Sequence, residues 1–173
     1  MKKIFFAMSL FLSLNALEIG EIVPTLLLEG NNGGQIKNNM PWNSDSLRGK
    51  ITAIFYVDPD EKDMNSRFSK IIDKKNYNQE LFLKVAIINL AATWKPNFVI
   101  EKLLASHLKD FPNNLYLKDK KSVLVNKWHL KDDSSDVLLV SKEGKLLFYK
   151  DSKMSDKDID DALKIIEREL KRK

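Results

Sequence analysis

A chain of 173 residues with 43% apolar and 31% charged side chains is long enough for one domain with its own core and too apolar for wholesale disorder. Its formal charge of +5 includes Lys2 and Lys3, so residues 17–173 carry only +3. The absence of cysteine excludes disulfides, thiol catalysis, cysteine-ligated zinc, iron–sulfur clusters and a lipid-modified N-terminal cysteine.

Met1-Lys2-Lys3 followed by the apolar run from Ile4 to Leu14, interrupted only by Ser9 and Ser13, has the form of a secretory signal ending near Ala16. The run is shorter than the ~20 apolar residues of a membrane span. A buried first helix or strand is the competing reading. As a signal it predicts an exported chain with a mature domain over 17–173 and no stable membrane anchor after cleavage.

In the mature region, Ile22 to Leu28 reads as a short edge strand entered through Pro24. The glycine- and asparagine-rich stretch from Glu29 to Met40 reads as a turn or hairpin. Ile51 to Val57 is an apolar, β-branched and aromatic run, the pattern of a strand covered on both faces. Asp58-Pro59-Asp60, with Glu61 and Asp63, suits the start of a helix through capping and dipole, and Met64, Phe68, Ile71 and Ile72 mark its buried face. A second buried strand falls between Leu81 and Leu90, then a loop at Trp94–Asn97 and a helix bearing Ile100, Leu103, Leu104, His107 and Leu108. Leu115–Leu117 is a short strand, and Lys118-Asp119-Lys120-Lys121 a solvated turn. Ser122 to Trp128 is a brief helix. Val137–Val140 and Lys145–Tyr149 form a hairpin about Glu143-Gly144. Ser155 and Asp158 make a capping arrangement for the last helix, which buries Ile159, Ala162, Leu163, Ile166 and Leu170.

Parallel βαβ units at the front and an antiparallel hairpin at the back predict an α/β domain of thioredoxin-like plan: a mixed central β-sheet flanked by helices, with an N-terminal β extension. Trp42-Asn43-Ser44, Leu47, Gly49-Lys50, Trp128, Leu130, Ser134-Ser135, Lys142-Glu143-Gly144-Lys145 and Lys150-Asp151 together resemble the YtfJ family of small, cysteine-less periplasmic proteins. The resemblance implies a thioredoxin-like fold and a periplasmic address. It also carries a label of transcriptional regulator. Against that label stand a modest charge, bases interleaved with acids, and no helix-turn-helix, zinc finger or aromatic basic sheet, so no nucleic-acid partner is expected.

In relatives of this plan the redox cysteines occupy the turn after the first core strand, here Asp58-Pro59-Asp60, and a cis-proline precedes the strand opposite, here Ser134-Ser135-Asp136. Neither element is present, so dithiol exchange and peroxidase chemistry are excluded. Two readings remain open. The first is a non-catalytic binding module whose surface around Asp58, Pro59, Asp60, Trp128, Ser134, Ser135 and Asp136 docks a periplasmic protein or extended peptide. The second is a cation-binding protein of calcium type, or a non-thiol enzyme, that uses the acidic loops around Asp58 and Asp133. Trp42-Asn43-Ser44 fits a binding element or a structural plug equally. His107 and His129 have neither metal-ligand spacing nor a nucleophile beside them, and no motif calls for a cofactor.

Overall fold

The computed structural model describes residues 17–172, apart from the side chains at 97, 101, 103, 105–107 and 110. The proposed signal peptide lies outside the described residues.

Among the described residues, eight strands and four α-helices follow in chain order: β1 (Leu27–Leu28), β2 (Gly33–Gln35), β3 (Trp42–Asn43), β4 (Ile51–Val57), α1 (Ser66–Lys75), β5 (Phe82–Asn89), α2 (Asn97–Asp110), β6 (Leu115–Asp119), α3 (Val123–Trp128), β7 (Ser135–Val140), β8 (Leu146–Lys150) and α4 (Asp156–Lys171). Six strands form one sheet in the order β2-β6-β5-β4-β7-β8, and β1 with β3 forms a separate antiparallel pair. β4, β5 and β6 run parallel, while β2, β7 and β8 join antiparallel. This is the mixed, helix-flanked sheet that the alternation of apolar runs and amphipathic stripes predicts.

β4 alternates its side chains between two cores. Ile54 and Tyr56 pack with Leu28, Trp42, Leu124 and Trp128, and Ile51, Ala53 and Phe55 pack with Phe68, Ile72, Ile159 and Ile166. Burial on both faces is why its sequence is an apolar run broken only by Thr52 instead of an alternating one. The last helix starts as read: Ser155 Oγ accepts from Asp158 N at 3.1 Å and Asp158 Oδ2 accepts from Ser155 N at 2.8 Å. The donations of Ser155 N and Ser155 Oγ to Asp158 Oδ2, with Lys150 beside it, hold the Asp158 carboxyl down at about 2.

Several expectations need correction. Of the apolar segment from Ile22, only Leu27–Leu28 is a strand. Upstream, the chain runs beside the β8 end, with a bridge from Ile22 to Lys145. Gly33–Gln35 is not merely a turn but the edge strand β2, paired with Asp119, Lys118 and Leu117 of β6. α1 begins only at Ser66, after a string of turns, so Asp60, Glu61 and Asp63 do not sit in its first turn. Lys118 and Asp119 are not a solvated turn. They end β6 at 4% and 0% exposure, because pairing to Ile88 and Asn89 carries the strand two residues further into the interior. Trp42-Asn43-Ser44 is structural: Trp42 is buried, Asn43 Oδ1 accepts from Asp45 N, and Ser44 Oγ accepts from Leu26 N.

Candidate functional site

The C-terminal ends of β4 and β5 and the start of β7 meet at one end of the sheet. Asp58 follows β4 directly. Its N–H donates to the Ser134 carbonyl at 3.0 Å, and its Oδ1 accepts from Asp60 N at 2.7 Å, an aspartate turn and not a helix cap. Burial raises the Asp58 carboxyl above its ordinary range, partly offset by that backbone bond. Asp60 reaches outward, where Lys95 Nζ and Thr93 Oγ1 (3.0 Å) donate to it, and those bonds lower its pKa.

The strand opposite is also longer than its sequence suggests. Ser135 and Asp136 belong to β7, paired with Val57 and Tyr56, so only Ser134 of the three remains in the loop. Ser134 Oγ donates to the Asp151 carbonyl at 2.7 Å. Buried Asn65 donates to the carbonyls of Ser135 (2.6 Å) and Ser152 (3.2 Å) and accepts from Met154 N (2.9 Å), tying the approach to α1 to the end of the β7–β8 hairpin. Asp136, 0% exposed, accepts at Oδ2 from Lys131 N and Tyr149 OH, both at 2.9 Å, while its Oδ1 has no partner.

Of the seven residues expected to line an open surface, Asp58, Pro59, Trp128, Ser134, Ser135 and Asp136 are buried and only Asp60 is exposed. Trp128 fills the core under α3 and donates Nε1–H to the Pro24 carbonyl at 2.8 Å. Asp58 Oδ1, Ser134 Oγ, Asp136 Oδ2 and Trp128 Nε1 are each bonded to backbone or side chain, so the exposed area these six residues offer a ligand is small. The acidic loops do not converge either: among the described residues no group of three or more His, Asp or Glu side chains is placed to hold a metal ion. Asp60 is taken by Lys95, and Asp132 accepts from Asn89 at 3.2 Å. His129 is exposed in the left-handed conformation that ends α3. The side chain of His107 lies outside the described residues.

The Asp136 environment sets a pH dependence. Burial is the main cause of its raised pKa. The folded state therefore holds this proton more tightly than the unfolded chain, and stability falls as pH climbs from the ordinary carboxylate range through the raised value. Asp136→Asn keeps an oxygen for Lys131 and Tyr149 and removes the charge. It is expected to raise the unfolding free energy at pH 7.5 by roughly 1 kcal/mol, the excess desolvation of a charged over a neutral buried group. The gain shrinks as pH falls toward 4. Urea midpoints of both proteins from pH 4 to 8 check this, and a variant less stable than the parent at pH 7.5 would overturn it.

What the sequence reading passed over lies beside Asp60. Trp94 is 87% exposed and Phe98 72%, and Val99 next to it is also exposed. They stand on the loop and first turn of α2, held to the β4 turn by the bonds of Thr93 and Lys95 to Asp60. A signal was present for Phe98, which lies two residues before Ile100 and so off the Ile100–Leu104–Leu108 stripe of its helix; nothing in the loop marks the exposure of Trp94.

A parallel β4–α1–β5 unit, an antiparallel β7–β8 hairpin and α4 closing one face make this a thioredoxin-fold protein. Solved structures share the fold at low identity. One is a putative thiol:disulfide interchange protein DsbE from Chlorobium tepidum (TM-score 0.64, 16% identity, 90% of this chain and 99% of that one). Another is a putative thioredoxin from Neisseria meningitidis (TM-score 0.61, 15% identity, 90% and 95%). The chain belongs to the family of bacterial proteins of unknown function YtfJ_HI0045, whose model matches residues 20–169. It is 25% identical over 129 residues to an uncharacterized protein of Haemophilus influenzae, covering 73% of this chain and 70% of that one. To the protein YtfJ of Escherichia coli it is 22% identical over 133 residues, covering 75% and 72%.

Proposed function

We propose that this chain is a non-catalytic binding module of the periplasm that docks a protein or peptide partner through Trp94 and Phe98. The observation that carries the reading is the strong exposure of two large aromatic side chains on one short segment beside the end of the sheet. Isolated exposed apolar residues are ordinary, but tryptophan and phenylalanine are large anchors for interfaces. Their base is fixed by the Lys95–Asp60 ion pair, so little conformational freedom is lost when a partner covers them. The absence of cysteine removes the chemistry for which relatives of this fold use the same end of the sheet. Support for the address comes from Lys2, Lys3 and the apolar run to Leu14.

The test pairs fractionation with capture. The chain is expected in the osmotic-shock fraction, shortened near Ala16 by mass. As bait in periplasmic extract it is expected to retain a specific protein with an affinity that Trp94→Ala lowers about 30-fold, the loss of one hot-spot side chain. Both variants, Trp94→Ala and Phe98→Ala, should melt at the parent temperature, since neither side chain is buried. A chain confined to the cytosol, or capture indifferent to both substitutions, overturns the reading.

A further inference from the structure

α1 and α4 cover β4 and β7, while α2 stands over β5 and β6, touching the sheet where Ile100 meets Ile88 and Leu90. Between α1 and α2 lies an open cleft of about 460 Å³. Its floor is apolar: Phe55, Ala86, Ile88 and Tyr116, with Leu104 and Phe111 on the far side. Ala86 sits in the middle of a central strand and is nonetheless only half-buried, so the sheet is uncovered there.

The sequence builds this opening. The α1 wall presents Ser66, Ser69, Lys70 and Asp73, one face at helical spacing and wholly polar, where a helix closing against α2 would present apolar residues. Ser69 and Asp73 are turned to Lys84, whose Nζ donates to Ser69 Oγ at 2.7 Å and to both Asp73 oxygens at 2.7 and 2.8 Å, between the rings of Phe55 and Phe111. Lys84 is therefore satisfied and its charge neutralised by Asp73. Among the described side chains that line the cleft, the charge left belongs to Lys62, Lys70 and Asp63, all exposed. Neither lysine makes an ion pair among the described residues, so these side chains sum to a net positive charge beside an apolar floor.

We propose that this cleft binds a long-chain carboxylate, its hydrocarbon on Ala86, Leu104 and Phe111 and its acid group between Lys62 and Lys70. The volume falls within the ~300–1,000 Å³ of small-ligand pockets, which combine an apolar lining with a few polar groups that orient the ligand. A free acid matches both halves of the site; a neutral lipid leaves the lysines unused, and a cation is repelled by them. The proposal uses a different part of the surface from Trp94 and Phe98 and does not depend on them.

Dodecanoate, titrated below its micellar concentration, tests it, with dodecyltrimethylammonium as the cationic counterpart. The expected result is saturable one-to-one binding of dodecanoate with chain-length dependence of up to about fourfold per methylene. Binding of the cationic amphiphile should be at least tenfold weaker. The Lys62→Glu/Lys70→Glu double variant should lose dodecanoate affinity about tenfold, and Ala86→Phe, which fills the floor, should abolish it. Amide shifts on titration of the unsubstituted chain should map to Ala86, Leu104 and Phe111, a readout that stands even where Ala86→Phe does not fold. No saturable binding, shifts confined to another face, or equal affinity for the two amphiphiles overturns the proposal.

Discussion

Asp119→Ala is expected to lower the unfolding free energy by roughly 3–5 kcal/mol, the cost of orphaning several buried donors at once. Asp119 is 0% exposed. Its Oδ1 accepts from Lys121 N at 3.1 Å, and its Oδ2 accepts from Leu124 N at 3.0 Å and Tyr56 OH at 3.1 Å. One carboxylate thus ends β6, supplies the start of α3, where Ser122 makes no side-chain cap bond, and fixes the hydroxyl of a fully buried tyrosine on β4. Alanine leaves two of the donors, Tyr56 OH and Leu124 N, in an interior that water does not reach, and the part-buried Lys121 N without its partner. The desolvation cost is the reason the loss exceeds that of an ordinary cap, at about 1 kcal/mol. Tyr56→Phe removes only one donor together with its need for a partner, and is expected to cost about 1 kcal/mol or less. Urea unfolding of the two variants separates a shared hub from three independent bonds. An Asp119→Ala variant within about 1 kcal/mol of the parent would falsify the hub.

Gly33→Ala is expected to cost roughly 3 kcal/mol, from overpacking and a glycine-only backbone together. Gly33 has φ 142° and ψ −145°, a region closed to side chains, and a Cβ there would meet the Lys118 carbonyl oxygen at 2.0 Å. That oxygen belongs to the strand to which Gly33 is paired, so the only relief is separation of β2 from β6. Since β2 is a short edge strand, the damage is local. Hydrogen exchange should speed up at β2 and the outer side of β6 and stay slow at β4. Unchanged protection at Gln35, which pairs Leu117, would show that the edge tolerates a side chain.

The central strands and α4 are legible in sequence because their evidence is local. A seven-residue run with Thr52 its only polar member requires cover on both faces, and Ser155 with Asp158 makes a cap that needs nothing beyond its own helix. β2 is not legible. Asn31, Asn32, Gly33 and Gly34 have turn composition, and their pairing depends on Lys118 some 85 residues later, information no window contains. The same separation explains Asp119. Within Lys118–Lys121 it reads as one charge in a solvated run, and only the approach of Tyr56 makes it interior.

The site divides along the same line. Residue types alone settle that this chain has no thiol chemistry, since a function that requires sulfur fails wherever the chain folds. Composition and periodicity together give the class of fold, because burial periodicity is set by the strand or helix itself. Whether Asp58, Ser134 and Asp136 face a partner or the interior is a matter of which distant segments lie over them, and the tertiary structure decided for the interior. It likewise decided that Trp94 and Phe98 stand in water and that Ala86 lies open between two helices. Exposure is a property of the neighbours a residue acquires through long-range contact, and the residue's own identity does not contain it.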